Sequence, residues 1–305
     1  MVHKGLPILE LRNLCKTYEL KGHRAVDALK SVHMQLYPGE CLGIVGESGS
    51  GKSTLARCVT HLDRVTSGQI QYRQQDITRL NGKALRQQRK QIQMVFQEPS
   101  AIFNPRVKVG AFIREPLINY KIMKGQQADR EVLRLLERVG LSAATADRYP
   151  HELSGGEQQR AVIARAIGVE PDIILFDEAT SALDVSIQQQ ILDLLVELRK
   201  ETGISSIFIS HDLAVVQQIS DRIAVMYQGE VVEVVESSQL TSSANHPYTR
   251  SLMASLLSVR EMKYKMQERY EELEQEEEQE QEKVEEQEQE QEQEQVEVFQ
   301  ESLSG

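Results

Sequence analysis

Several residue types that mark particular classes of protein are scarce in this sequence. It has no tryptophan, and aromatic residues make up only 5% of its 305 residues. No stretch approaches the roughly eighteen consecutive apolar residues of a transmembrane helix, and the first residues lack the apolar core of a signal peptide. We therefore expect neither a membrane span nor export, and any role at a membrane must come through partners.

Cysteine is also scarce, and its three positions argue against two kinds of site. Cys15, Cys41 and Cys58 do not have the spacing of metal ligands, and an odd number of cysteines does not suit a disulfide framework. The expectation is reduced thiols that pack in the interior of a cytosolic protein.

Acidic charge is concentrated in one segment. The chain has a formal net charge of −11, yet residues 271–305 contain sixteen Glu and one Lys, which leaves a net charge of +4 on residues 1–270. A segment of Glu and Gln cannot bury enough surface to offset chain entropy. The sequence therefore predicts that residues 261–305 are a disordered or transiently helical tail.

The spacing of apolar residues predicts a sheet covered by helices. Apolar and polar residues alternate near Leu9 and again from Val32 to Leu36, as in half-buried strands. Continuous apolar runs predict buried strands, and helical spacing separates them. The buried strands are predicted at 41–45, 173–176, 207–209 and 223–226, and the helices at 132–139 and 187–198. This pattern predicts an α/β fold with a mostly parallel sheet and an amino-terminal antiparallel β part.

One stretch without a buried strand interrupts this pattern. Between Gln97 and Ser154 the sequence has helical periodicity and frequent Gly and Pro, which predicts an inserted helical subdomain. The predicted organisation is a core in two parts, residues 1–97 and 154–260, with the helical subdomain at 98–153 and the acidic tail at 261–305.

The most specific motif follows the predicted strand at 41–45. Residues 46–54 read GESGSGKST and match the phosphate-binding loop pattern in full, between a strand and a helix-like segment. Such a loop points backbone N–H groups at phosphates, its lysine adds a mobile cation, and its serine hydroxyl suits Mg²⁺. The sequence thus predicts a nucleoside triphosphate site that includes Gly46, Ser48, Gly49, Gly51, Lys52, Ser53 and Thr54.

Acidic and imidazole side chains follow two other buried strands. Asp177 and Glu178 come after the strand at 173–176, and His211 follows the strand at 207–209. Ligands of open α/β sheets bind at the carboxyl ends of the strands, where the phosphate loop also lies. We therefore expect Asp177 to bind Mg²⁺, Glu178 to deprotonate the attacking water and His211 to contact the γ-phosphate. The alternatives are a helix N-cap role for the carboxylates and a surface role for the histidine.

A second glycine turn precedes another predicted helix. Residues 153–160 read LSGGEQQR, and Ser154, Gly155 and Gly156 form a second candidate anion site at the start of that helix. One nucleotide does not need two separate phosphate cradles. The interpretation is that each chain lends this turn to the nucleotide of another chain, in a head-to-tail pair. An ordinary serine-capped helix start is the alternative.

Together these motifs resemble those of the ATP-binding subunits of ABC transporters, in the order of that family and across residues 8–255. Residues 46–54 are similar to its Walker A loop, 173–178 to its Walker B strand and 153–160 to its signature motif, in which Glu157 stands where Gln is commoner. The resemblance further implies that Gln97 is the Q-loop residue, with roles in catalysis and Mg²⁺ binding, that residues 181–184 are the D-loop, that His211 is the switch histidine and that Tyr18 stacks on adenine.

Other segments resemble one branch of that family, the importers of oligopeptides, dipeptides and nickel. These segments are residues 103–106, 114–117, 181–188 and 245–249. Some members of the branch carry a carboxyl-terminal cysteine cluster for iron–sulfur, but no cysteine follows Cys58, so no cluster is expected. The resemblance implies an ATPase that uses ATP and Mg²⁺ at the cytoplasmic face of the membrane. Its implied partners are a second ATPase subunit, identical or paralogous, transmembrane permease subunits and, indirectly, an extracytoplasmic solute-binding protein.

Two other functions share the same motifs. One is an ABC exporter subunit, and the other is a non-transport ABC ATPase that acts on nucleic acid or ribosomes. The second kind usually joins two ATPase units or inserts a long coiled coil, whereas this sequence has one Walker A loop and only residues 98–153 between Gln97 and Ser154. No basic patch interleaved with aromatic residues indicates nucleic-acid binding. The expectation remains an importer subunit.

Overall fold

The computed structural model describes residues 5–19, 25–240 and 244–254. The chain divides into residues 1–250, to which the description below applies, and residues 251–305, of which 251–254 are helical. The predicted acidic tail lies outside the described residues. Within the described ranges, no helix combines the length and the apolar character needed to cross a bilayer.

The larger sheet is mostly parallel, as the alternation of strands and helices predicts. In the described part of the chain its strand order is β10-β9-β3-β8-β7-β6, and only the edge strand β10 runs antiparallel to its neighbour. The strands are β1 (Leu9–Tyr18), β2 (Val26–Leu36), β3 (Cys41–Val45), β4 (Ser67–Tyr72), β5 (Gln75–Asp76), β6 (Ile92–Val95), β7 (Ile173–Asp177), β8 (Ser205–Ile209), β9 (Arg222–Tyr227) and β10 (Glu230–Glu236).

Three of the central strands, β3, β7 and β8, are buried along their whole length. Their apolar side chains pack on both faces of the sheet, which is why their sequences lack the alternation of a half-exposed strand. Because the three strands are parallel neighbours, their carboxyl ends lie along one edge of the sheet. That edge is where the sequence predicts the functional residues.

The predicted antiparallel part is a second sheet with the order β2-β1-β4-β5. Leu9, Leu11 and Leu14 on β1 are buried and belong to one apolar core that also contains Ile44 of β3 and Leu55. The amino-terminal sheet therefore packs against the larger sheet through this shared core. The sheet therefore lies beside the phosphate loop that follows β3.

The helices agree with the predicted periodicity. The apolar positions from 132 to 136 lie in α4 and Val139 is its C-cap residue, and the positions from 187 to 198 lie in α6, which is followed by Gly203 in a left-handed conformation. The described residues from 98 to 153 contain no strand, and the boundaries of a separate subdomain there stay a prediction. The α-helices are α1 (Lys52–Val59), α2 (Gly82–Gln91), α3 (Val109–Asn119), α4 (Gly125–Arg138), α5 (Gly155–Ile167), α6 (Val185–Thr202) and α7 (Leu213–Ile219).

All three cysteines are free thiols. Cys41 and Cys58 are buried, and burial raises the pKa of Cys58 to about 12. Cys15 is partly exposed, and its sulfur accepts a hydrogen bond from the Ser31 backbone N–H at 3.2 Å. The packing role predicted for the cysteines therefore fits Cys41 and Cys58 better than Cys15.

Candidate functional site

The carboxyl ends of β3, β7 and β8 bring the predicted catalytic side chains together. The Ser53 hydroxyl, at the start of α1, donates a hydrogen bond of 3.0 Å to the Asp177 carboxylate at the end of β7. Beyond β8, His211 Nδ1 lies 3.6 Å from a carboxylate oxygen of Glu178. One edge of the sheet thus gathers a hydroxyl, two carboxylates and an imidazole beside the phosphate loop.

The phosphate loop needs glycine at two positions. Gly51 has a φ of 103°, and a Cβ atom there would lie 2.4 Å from the carbonyl oxygen of Ala28. At Gly46 a Cβ atom would lie 2.1 Å from the carbonyl oxygen of Met226. Since both obstacles are backbone atoms, a larger residue cannot be accommodated by a change of side-chain rotamer. The first and last glycines of the motif therefore pack the loop against β2 and β9.

Lys52 lies folded over the phosphate loop. Its ammonium group donates hydrogen bonds to the backbone carbonyl oxygens of Gly46, at 2.7 Å, and Glu47, at 2.8 Å. Burial lowers the pKa of Lys52, and the neighbouring carboxylates of Glu178 and Asp177 oppose this effect. The ammonium also donates to the Ser50 hydroxyl at 3.4 Å. A partly desolvated cation held by neutral carbonyl and hydroxyl groups is well placed to exchange those contacts for phosphate oxygens.

Glu178 occupies a backbone conformation that is unusual for its residue type. Its φ is 49°, in the left-handed region, and its backbone N–H donates to the carbonyl oxygen of Ile209 at 3.0 Å. Non-glycine residues in this region carry a small strain, and such strain occurs often at functional sites. The strained turn directs the chain away from β7 directly after Asp177, and Glu178 is one of the residues that line the pocket beside the loop.

Gln97 is connected to Glu178 through the predicted D-loop. The Gln97 side-chain amide donates to the Ser181 hydroxyl at 3.4 Å, and that hydroxyl donates to the backbone carbonyl oxygen of Glu178 at 2.9 Å. Gln97 follows β6 by two residues, at the edge of the sheet where β7 and β8 also end. The sequence motif predicts a role for Gln97, but it gives no sign of the bridge through Ser181.

Tyr18 lies at the end of β1, near the first turn of α1. Its hydroxyl donates to the Asp63 carboxylate at 2.8 Å, and the Lys16 ammonium lies 4.6 Å from the centroid of its ring. These two contacts fix the ring beside α1. They do not involve adenine, so the stacking role of Tyr18 stays a prediction. The open pocket beside the phosphate loop, of about 440 Å³, is lined by other residues, namely Val26, Asp27, Ala28, Lys30, Ser48, Gly49, Gly51, Lys52, Ser53, Thr54, Glu178, Gln228 and Gly229.

The second glycine turn is accessible at its first two residues. Ser154 and Gly155 are exposed, whereas Gly156 is buried, and a Cβ atom on Gly156 would lie 2.5 Å from Ile187. Ser154 caps α5, because its hydroxyl oxygen accepts the Glu157 N–H at 3.3 Å while the Glu157 carboxylate accepts the Ser154 N–H at 2.8 Å. Ser154 therefore has the helix-capping role that was the alternative prediction. Because the cap uses the hydroxyl oxygen as an acceptor, the hydroxyl hydrogen can still be donated to an anion on the exposed side.

Replacing Glu157 with glutamine is expected to lower the free energy of unfolding by about 0.5 kcal/mol at pH 7. The hydrogen bond from the Ser154 N–H is the main cause that holds the pKa of Glu157 below its ordinary value of 4.5. Burial opposes it, and the side chains of Ser154 and Arg148 lower the pKa further. A carboxyl group with a lowered pKa stabilises the fold above its unfolded pKa and loses that effect as the pH falls through its folded pKa. Melting temperatures at pH 7 and pH 4 check this, with Glu170→Gln as the control for removal of an exposed charge. An equal difference at both pH values would contradict it.

Comparisons with known proteins place these motifs in a family. The sequence profile of the ABC transporter family matches residues 29–181. The glutathione import ATP-binding protein GsiA of Pectobacterium atrosepticum is 46% identical over 256 residues, which are 82% of this chain and 41% of that protein. GsiA of Salmonella choleraesuis is 46% identical over 261 residues, which are 84% of this chain and 42% of that protein. The chain thus spans about two fifths of the length of these relatives.

Solved structures give the same result for the fold. The dimeric ATP-binding cassette MJ0796, in a post-hydrolysis state bound to ADP and Pi, is 33% identical with a TM-score of 0.69, and the match covers 75% of this chain and 98% of that one. The protein cbiO1 of Clostridium perfringens, part of the ABC transporter complex cbiONQ, is 29% identical with a TM-score of 0.69, over 78% of this chain and 91% of that one. The chain belongs to the ABC transporter family and has the P-loop NTPase fold, as the sequence motifs predict.

Proposed function

We propose that this protein is the ATPase subunit of an ABC importer that takes up a small solute of the oligopeptide, dipeptide or nickel class. The observation that carries the proposal is the meeting of Ser53, Asp177, Glu178 and His211 beside the phosphate loop. Two relatives named as glutathione import proteins support a peptide as the solute, because glutathione is itself a small peptide. The cassette bound to ADP and Pi supports hydrolysis of ATP.

The donor set at the end of β7 fits Mg²⁺ as a cofactor. The Ser53 hydroxyl and the Asp177 carboxylate are hard oxygen donors 3.0 Å apart, and Mg²⁺ is usually bound by one or two such groups together with phosphate oxygens. Burial raises the pKa of Asp177 in the absence of a cation, so a bound cation would favour the ionised form. Bound there with ATP, the ion supplies charge neutralisation for the phosphates, and Gln97 is the third residue proposed to hold it.

The proposed catalytic roles follow from where the other side chains lie. Glu178 accepts the proton of the attacking water, since it lines the same pocket as Lys52 and Ser53. His211, whose Nδ1 lies 3.6 Å from the Glu178 carboxylate, contacts the γ-phosphate. The phosphates are held by Lys52, by Thr54 and by the N–H groups of Ser48, Gly49 and Gly51, and adenine stacks on Tyr18.

A second ATPase subunit completes the proposed site. Ser154 and Gly155 are exposed at the start of α5, where a partner chain can reach them. Glu157 fixes the turn through the capping box, so its N–H groups are already oriented for an anion. The dimeric state of the cassette bound to ADP and Pi supports this arrangement.

ATP-dependent pairing tests the arrangement directly. The Glu178→Gln variant is expected to double in mass when ATP and Mg²⁺ are added, either alone or with a paralogous ATPase subunit, because ATP then stays bound between the chains. Light scattering measures the change, and the same variant that also carries Lys52→Met serves as the control, which should stay monomeric. Absence of a mass change both alone and with the partner subunit would contradict the head-to-tail pair.

A groove beside β6 is the proposed contact for the permease subunits. It has a volume of about 260 Å³ and combines an apolar floor with two arginines, and Phe96, directly before Gln97, lies in it. A permease segment seated here would act on Gln97 and through it on the catalytic site. The groove is lined by Thr60, Leu62, Arg89, Ile92, Gln93, Met94, Phe96, Ile102, Phe112, Tyr120, Val162, Arg165 and Ala166.

Purification of the tagged protein from membranes tests the transport role. Permease subunits are expected to co-purify, which would put the ATPase subunit at the cytoplasmic face as a peripheral component. Addition of the loaded extracytoplasmic solute-binding protein should then raise ATP hydrolysis. Permeases that export a solute, or co-purified RNA or DNA in their place, would favour the exporter or the non-transport ATPase instead.

A further inference from the structure

The segment at residues 245–249, NHPYT, is bound to β10 by one carboxylate. The backbone N–H groups of Asn245 and His246 donate to the two carboxylate oxygens of Glu233, at 2.8 and 3.2 Å. The Tyr248 N–H in turn donates to His246 Nδ1 at 3.2 Å. These contacts fix the turn that carries the Tyr248 side chain, so the position of its hydroxyl is set by the sheet.

The Tyr248 hydroxyl reaches the phosphate loop. It accepts a hydrogen bond of 2.9 Å from the backbone N–H of Glu47, the second residue of the loop. Its ring packs on Tyr227 at the end of β9, with 4.2 Å between the ring centroids. Burial raises the pKa of Tyr248, which keeps the phenol neutral at physiological pH. The contact joins residues 201 positions apart in the sequence.

The peptide group that joins Gly46 to Glu47 is held on its other side by Lys52, whose ammonium donates to the Gly46 carbonyl oxygen at 2.7 Å. Lys52 must release this oxygen when it turns to a phosphate group. The Tyr248 hydroxyl then keeps the Glu47 amide in place from outside the loop, and with it the direction of the following N–H groups that are aimed at phosphates.

We propose that Tyr248 is a positioning residue of the phosphate loop, through which the segment at 245–249 sets the affinity for nucleotide. The inference rests on the proposed function, since it concerns the same ATP site. It assigns a role to a segment that the catalytic motifs leave unused.

The Tyr248→Phe variant tests the inference, because it removes the hydroxyl and keeps the ring on Tyr227. The expected result is a Kd and a KM for ATP about 3- to 10-fold higher, as for the loss of one neutral hydrogen bond, with kcat changed less than two-fold. The melting temperature should stay within about 2 °C of the wild-type value. Calorimetry with ATP and Mg²⁺ and steady-state kinetics give these values for the full chain.

The matched control is Tyr72→Phe, which removes a hydroxyl that donates to Asp172 at the amino end of β7, the edge of the sheet opposite the phosphate loop. Its affinity for ATP is expected to equal that of the wild type. Equal or tighter ATP binding by Tyr248→Phe would overturn the inference, and so would an equal loss of affinity in both variants. If the wild-type protein itself binds no ATP, the proposed function fails, and that result is distinct from an unaffected Tyr248→Phe variant.

Discussion

Replacement of Glu178 by glutamine is expected to lower the rate of ATP hydrolysis by about 10²- to 10⁴-fold and to leave ATP binding intact. Glutamine has the shape of glutamate and leaves the backbone hydrogen bond to Ile209 in place, so the turn after β7 is retained. It cannot take a proton from water, and that is the step assigned to Glu178. The measurements are kcat for phosphate release by the assembled transporter and Kd for ATP by calorimetry.

Glu170→Gln is the matched control for this variant. Glu170 also has a left-handed backbone, with a φ of 51°, and it is exposed before β7, at the end of that strand away from the phosphate loop. The same change in charge and the same backbone conformation are thus tested where no catalytic role is proposed. If Glu178→Gln hydrolyses ATP within ten-fold of the wild type, the catalytic base lies elsewhere.

The part of the site that could be predicted from sequence is the part carried by short, continuous segments. The motif at 46–54 contains its own strand end, turn and helix start, and the prediction that it lies beside Asp177 follows from the parallel order of buried strands. The contact of 3.0 Å between Ser53 and Asp177 shows that the helix start after the loop lies at the carboxyl end of β7. The residues of the motif, and the rule that ligands bind at the carboxyl ends of parallel strands, were sufficient to predict this part of the site.

The sequence failed to predict four strands, namely β4, β5, β6 and β10, and the last two have weak patterns. β6 has only four residues, and β10 reads EVVEVVE, in which neither alternation nor an apolar run is present. Both are edge strands of the larger sheet, where hydrogen bonding to one neighbour and packing on one side decide the conformation. Contacts with the rest of the sheet therefore stabilise these two strands, and the spacing of their apolar residues could not predict them.

The contacts of the site that sequence patterns missed join distant segments through single polar groups. Tyr248 and Glu47 are one such pair, and Gln97 and Ser181 are another. Neither pair produces a periodic signal, because each depends on one hydroxyl and on the packing of entire strands between the two residues. Such contacts become visible only when the fold is known.

The Lys52→Met variant is expected to bind ATP about 100-fold more weakly than the wild type. Methionine keeps most of the stem of the side chain but removes the cation, and hydrogen bonds to charged groups contribute about 1.5–3 kcal/mol each. The loss of the donor also leaves the Gly46 and Glu47 carbonyl oxygens with fewer hydrogen bonds, so the free energy of unfolding should fall as well. Affinity is therefore measured by calorimetry at a temperature where circular dichroism shows both proteins folded.

Lys30→Met separates the specific role of Lys52 from a general effect of positive charge. Lys30 is exposed and lines the same pocket, on β2 opposite the phosphate loop, so the variant makes the same chemical change in the same electrostatic surroundings. We expect its Kd for ATP to change less than about three-fold, as for an exposed charge that is screened by solvent. An equal loss of affinity in both variants would mean that ATP responds to the net charge of the pocket, and an unchanged Kd in Lys52→Met would reject the phosphate-binding role of the loop lysine.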